Sequence, residues 1–127
     1  MPSTLLIVDD SKLARIVAAK AVAALQPEWR RIEAGSAAEA LARLAEGGVD
    51  VALVDYNMPE RNGLALAAEM RALYPDMPVA LLTANVQDEI IAQARALKLA
   101  FVPKPATEEG LRGFLAAAAL RRRQGAA

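Results

Sequence analysis

Four short apolar runs, none broken by alternation, constrain this chain most: residues 5–8, 51–54, 79–82 and 100–102. A strand with one wet face alternates apolar and polar residues. A strand covered on both faces does not, and such strands are usual in parallel sheets flanked by helices. A fifth segment, 29–34, carries Arg30, Arg31 and Glu33 and is too polar for the middle of such a sheet, so it reads as an edge strand. Between these runs apolar residues recur at helical spacing. Leu13, Ile16, Val17, Ala21, Ala24 and Leu25 fall on one stripe, expected to pack on the sheet. Ala37, Ala40, Leu41 and Leu44 form a second, with Ser36 placed to cap it. Leu66, Met70 and Leu73 form a third; Val86, Ile90, Ala94 and Leu97 a fourth. Leu111, Phe114, Leu115 and Ala118 form a fifth, with Thr107 as its cap and Glu108 and Glu109 in the favourable first turn. The order is strand–helix five times. That predicts an α/β fold: a doubly wound, five-stranded parallel (βα)5 sheet with right-handed crossovers and helices on both faces.

Composition narrows the function. The chain has 127 residues, 55% of them apolar and 24% charged, enough for one good core and too apolar for a disordered segment. Fifteen basic residues balance fifteen acidic ones, which argues against broad electrostatic adhesion to nucleic acid or to an anionic membrane. The absence of cysteine excludes a disulfide framework and thiolate metal sites. The absence of histidine removes the commonest general base, the serine-type triads and most zinc sites. The N-terminus has no signal-peptide pattern. The longest apolar run, 114–120, is seven residues against the ~20 needed for a membrane span, so a cytoplasmic protein is expected. One domain is expected over 1–120. The segment 121–127, with three arginines, reads as a basic tail or the start of a linker.

In open α/β sheets ligands bind beyond the carboxyl ends of the strands, where the winding reverses. Asp9 and Asp10 follow the first apolar run, Asp55 the second, Thr83 the third, and Lys104 and Pro105 close on the last. Each residue alone has an ordinary structural explanation, as a turn, a cap or a surface charge. Together they bring three carboxylates, a hydroxyl and an ammonium to one end of the sheet. Three uncompensated carboxylates repel, and the pKa of at least one rises; a divalent cation relieves this. Oxygen-only ligands suit Mg²⁺. A magnesium ion, a lysine and a hydroxyl are suited to a phosphoryl group, with Asp55 of the central strand as nucleophile. With no histidine present, the phosphodonor lies on another molecule or domain.

These residues resemble the receiver domain of bacterial two-component response regulators. The resemblance rests on Val8-Asp9-Asp10-Ser11, on Val54-Asp55-Tyr56-Asn57-Met58-Pro59 with Gly63, on Thr83-Ala84, and on Phe101-Val102-Pro103-Lys104-Pro105, and it covers about residues 4–120. It implies the strand order 2-1-3-4-5. It implies that Asp55 accepts phosphate from a sensor histidine kinase or phosphotransfer protein. Mg²⁺ or Mn²⁺ is then held by Asp9, Asp10, Asp55 and the backbone carbonyl of Asn57. Lys104, Thr83 and Ala84 contact the phosphate. Phe101 turns inward behind Thr83, the Lys104–Pro105 bond is cis, and Asn57 and Asn85 tune phosphate lifetime. Phosphorylation then alters the face made by the fourth helix, fifth strand and fifth helix, which meets a downstream target protein.

Some features depart from the family pattern. Pro103 sits inside the last strand, tolerable only at an edge. Lys98 and Leu99 occupy a bend where glycine is common. Gly110 and Gly113 each cost a helix ~1 kcal/mol relative to alanine. Two other functions compete. A small-molecule phosphatase with an aspartyl nucleophile wants a second acid where Asn57 stands. A phosphorylation-independent adaptor usually loses an acid or the lysine, and this chain keeps them all. The chain is expected either to be a free-standing switch, which catalyses only its own phosphorylation and dephosphorylation, or to be part of a larger regulator with an output domain.

Overall fold

The computed structural model describes residues 3–58, 62–84 and 87–125, with side chains as far as Arg121. Pro59, Asn85 and Val86 lie outside the described residues. The elements run β1 (Thr4–Val8), α1 (Lys12–Leu25), β2 (Arg30–Ala34), α2 (Ala37–Ala45), β3 (Val51–Asp55), α3 (Gly63–Leu73), β4 (Val79–Thr83), α4 (Asp88–Ala96), β5 (Ala100–Pro103) and α5 (Glu108–Gly125). The strands form one parallel sheet in the order β2-β1-β3-β4-β5. The polar segment is an edge strand, as its arginines and glutamate predict. Pro103 lies in the opposite edge strand, where its missing N–H faces no neighbour.

Side chains alternate across the sheet, so each central strand feeds two core layers. Leu6 and Val8, Ala52 and Val54, and Val79 and Leu81 pack against α2, α3 and α4. Leu5 and Ile7, Val51 and Leu53, and Ala80 and Leu82 pack against α1 and α5, with Trp29 buried among them. Burial on both faces is why these runs show no polar alternation. Among the described residues, no helix is long and apolar enough to cross a membrane.

The predicted caps form. The hydroxyl of Ser36 accepts from the Glu39 N–H (3.1 Å), and that of Thr107 from the Gly110 N–H (3.0 Å). The α1 stripe is a correction. Its buried face is Ala18, Ala21 and Val22, whereas Leu13 is 71% exposed and Ile16 and Val17 are partly exposed. Helix α1 is apolar nearly all round, so periodicity did not select a face, and small alanines let it approach the sheet closely. Leu73 is likewise exposed, and Ala67 takes its place against the sheet. The basic segment from Arg121 continues α5 as far as Gly125.

The bend after α4 is closed without glycine. Lys98 adopts the left-handed conformation (φ 59°), and its N–H and that of Leu99 donate to Arg95 and Ala94. Arg71 of α3 caps the same turn from outside, donating to the carbonyls of Leu97 (2.9 Å) and Lys98 (3.1 Å). The two α5 glycines differ. A side chain at Gly110 would press on the Thr107 hydroxyl, whereas a Cβ at Gly113 meets nothing within 4 Å. Replacing Gly113 by alanine should therefore raise stability by about 0.5–1 kcal/mol. Urea unfolding followed by the fluorescence of the lone Trp29 checks this; an unchanged or lowered midpoint would show that Gly113 has a role beyond helix formation.

Candidate functional site

Strand register assembles the site. Val8 pairs with Val54, which sets Asp9 level with Asp55 at the ends of β1 and β3. Asp55 pairs with Leu82, and Thr83 with Pro103, so Thr83 and Lys104 each stand one step further along. The β1–β3 gap is where the winding direction reverses, so no crossover blocks it.

The Lys104 ammonium bridges the two buried acids, with Nζ 2.9 Å from Asp9 Oδ2 and 3.0 Å from Asp55 Oδ1. Asp9 and Asp55 are almost completely buried, and Asp10 is exposed. One carboxylate oxygen from each of Asp9, Asp10 and Asp55 lies within 4.8 Å of the others, a spacing that could hold a metal ion. Each buried acid also accepts from the backbone just beyond it, Asp9 from the Ser11 N–H (2.9 Å) and Asp55 from the Asn57 N–H (3.2 Å). Thr83 is fully buried between them and β5, and Ala84 is exposed at the rim. Phe101 is half-buried against the α2–α4 layer, and the Lys104–Pro105 peptide is cis.

Titration follows from this packing. Burial raises the Asp55 pKa above its ordinary 3.8; the hydrogen bond from Lys104 opposes the rise and the neighbouring Asp9 charge adds to it. Burial alone would lower the pKa of Lys104, but its hydrogen bonds to Asp9 and Asp55 outweigh burial and hold it above the usual lysine value. The lysine is thus held charged, and Asp55 is the acid with the raised pKa.

Three further features support the site, and of these the sequence singled out only Gly63. Arg15 donates from Nη1 to the Asp9 carbonyl (2.7 Å) while its Nε pairs with Glu33 Oε1 (2.9 Å), tying the first acid to the edge strand. An arginine in the first turns of α1 and an acid on a polar edge strand were the signals, each too common to act on. Gly63 begins α3 directly over the end of β3, where a Cβ would overlap the Asp55 carbonyl oxygen, so only glycine allows that approach. The third is a cavity of about 400 Å³ beside the cleft, whose walls include Asp9, Lys104 and Pro105 on one side and the exposed Leu13 and Val17 of α1 on the other.

A raised carboxyl pKa means that the folded state binds that proton more tightly than the unfolded state. Stability contributed by Asp55 therefore falls as pH rises from 3.8 through the raised pKa, and ionised Asp55 is a net cost at neutral pH. In EDTA at pH 7, Asp55→Asn should unfold at higher urea than the parent chain. The difference should close as pH falls toward 3.8, where both forms are neutral at this position. A less stable Asp55→Asn at pH 7 would contradict the predicted direction.

Comparison with known proteins points the same way. The response regulator receiver domain family matches residues 5–116. A cyclic di-GMP phosphodiesterase response regulator of Xanthomonas campestris pv. campestris is 36% identical over 112 residues, covering 85% of this chain and 29% of that protein. The chain spans less than a third of the length of most of the curated relatives it matches, 29% of that phosphodiesterase response regulator among them. Chemotaxis protein CheY4 of Vibrio cholerae superposes with a TM-score of 0.83 at 25% identity, over 93% of this chain and 99% of that one. A CheY-like receiver domain protein of Methanospirillum hungatei superposes at 0.86 and 20% identity, over 98% and 99% of the two chains, a likeness of fold.

Proposed function

We propose, for a chain that belongs to the response regulator receiver domain family and is thus a phosphoacceptor signalling switch of two-component systems, that Asp55 is the residue phosphorylated. The observation that carries this is Lys104 bridging Asp9 and Asp55 inside a buried acidic cleft. Three carboxylates against one ammonium leave two negative charges uncompensated, which matches a divalent cation. The oxygen-only donor set fits Mg²⁺ or Mn²⁺ on Asp9, Asp10, Asp55 and the Asn57 carbonyl. Such an ion supplies Lewis-acid neutralisation of phosphoryl oxygens.

The chain's own residues do the rest. An Asp55 carboxylate oxygen attacks the phosphorus of a phosphohistidine on a partner kinase or phosphotransfer protein. The oxygen–phosphorus bond forms, the phosphorus–nitrogen bond breaks, and the electron pair returns to the partner's imidazole, which takes a proton. Lys104, released from its pairing with ionised Asp55, stays beside the new phosphoryl oxygens, with Thr83 and the Ala84 backbone as neighbouring donors. Phosphorylation adds roughly one further negative charge to the cleft. Pulling Thr83 and Lys104 toward it shifts β5 with them, and half-buried Phe101 follows. The α4–β5–α5 face then changes its affinity for a downstream target protein. Asn57 and Asn85 tune hydrolysis, and residues 1–120 form the receiver unit. Its chemistry is confined to its own phosphorylation and dephosphorylation.

Exposed Leu13 and Val17 sit beside the cleft and, through the adjoining cavity, are continuous with it, and Ile16 is exposed on the same helix. They provide an apolar landing for a helix of the phosphodonor protein. Acetyl phosphate with Mg²⁺ should add one phosphoryl group to the intact mass of the chain and none to Asp55→Ala or to the chain in EDTA; an equal gain in Asp55→Ala refutes the assignment. Leu13→Glu should leave acetyl phosphate labelling unchanged and slow transfer from a phosphorylated partner by about tenfold, the equivalent of ~1.4 kcal/mol. Equal slowing of both reactions would place Leu13 in the cleft's own architecture instead.

A further inference from the structure

The opposite end of the sheet carries a second charged site. A cavity of about 170 Å³ opens at the starts of β4 and β5, between them and the outer half of α5. Three cations from separate elements line it: Arg71 of α3, Lys98 of the α4–β5 turn and Arg121 of α5; Phe114 forms an apolar wall.

The Arg71 guanidinium is fixed in place. It donates from Nε to Leu97 O (2.9 Å), from Nη1 to Pro75 O (2.9 Å) and Met77 O (2.7 Å), and from Nη2 to Lys98 O (3.1 Å). Every one of these acceptors is a neutral carbonyl, which orients the charge without cancelling it. Burial and then the nearby Arg121 charge lower its pKa, and Asp76 is the carboxylate that opposes them. Asp76 is itself 99% exposed and meets Arg121 at 3.7 Å, a geometry in which a solvated pair is worth little. Lys98 is placed by its left-handed backbone. Three cations minus one carboxylate leave about two positive charges around the cavity, a match for a dianion.

The geometry points to a phosphate-class oxyanion site at this end of the sheet, with Arg121 presenting guanidinium donors to its oxygens, Arg71 its one remaining Nη2 N–H and a fixed charge, and Lys98 a third charge. The cavity has room for about five or six waters at roughly 30 Å³ each, the size of one phosphate group. A free phosphate would fit inside. The phosphate of a nucleoside monophosphate would fit equally, with its base lying outward on Phe114. The site is remote from Asp55 and does not depend on phosphorylation there.

The test is an NMR titration of the full chain, without divalent cation, with inorganic phosphate against chloride at matched ionic strength. Amides of Lys98, Ala100 and Arg121 should shift saturably. The Lys98→Asn/Arg121→Gln double variant should weaken this by at least about tenfold, with its folded spectrum intact, because asparagine tolerates the left-handed backbone. Adenosine monophosphate binding more tightly than phosphate would identify a nucleotide as the occupant; equal affinity would identify phosphate itself. Shifts that do not saturate, that persist in the double variant, or that are confined to Asp9, Asp55 and Lys104 would overturn the site.

Discussion

Lys104 holds the functional end of this fold together. Two carboxylates about 5 Å apart at an effective dielectric of ~20 repel by roughly 3 kcal/mol, and Asp9 and Asp55 are both buried. Without a cation between them, one would take a proton or the strand ends would splay. Lys104 reaches across from the edge strand and hydrogen-bonds both, so β1, β3 and the β5–α5 loop are tied at their carboxyl ends by one ammonium. It settles two of the three acids only in part. The remaining negative charge suits the cleft to a cation, and the phosphoryl chemistry proposed for it rests on that imbalance.

The rest of the architecture holds those groups in place. Parallel pairing fixes the level of Asp9 against Asp55. Arg15 holds the Asp9 carbonyl, and Gly63 lets α3 begin against the Asp55 backbone. These contacts reduce the freedom of the acids before any ligand arrives, which is how a site lowers the entropy cost of binding. A similar logic operates at the far end. Arg71 spends its donors on carbonyls of two loops and so closes a bend that lacks the usual glycine. One end of the sheet is therefore organised by a lysine among carboxylates, the other by an arginine among carbonyls. The first arrangement leaves negative charge over and the second positive.

The α4–β5–α5 face proposed to meet a target lies between these two ends. β5 is an edge strand joined to Thr83 through Lys104 N–H (2.9 Å to the Thr83 carbonyl), and Phe101 on it is only half-buried. An edge strand has one neighbour to restrain it, so a pull at Thr83 and Lys104 moves β5 more easily than it would move β3. Arg71 anchors the turn into β5 at its other end. In the proposed switch, a strand held at its start and pulled at its finish would pass a shift on to α4 and α5.

Much of this was legible in the residue order. Four short apolar runs set between helical stripes read as strands covered on both faces, and parallel strands deliver their functional groups at one end, so Asp9, Asp55, Thr83 and Lys104 could be gathered from positions scattered along the chain. Their residue types then pointed to the cation and the phosphoryl group. Three things required the packed molecule. Helix α1 is apolar on nearly every side, so only its contact with the sheet showed that Ala18, Ala21 and Val22 go inward and Leu13 outward. Lys104's simultaneous grip on two acids depends on strand register, which side-chain type does not encode. Arg71 meets carbonyls 26 and 27 residues away, and an arginine on a helix carries no mark of such partners. Periodicity is a property of neighbours along the chain; which surfaces meet across it is settled only when all the layers compete for the same core.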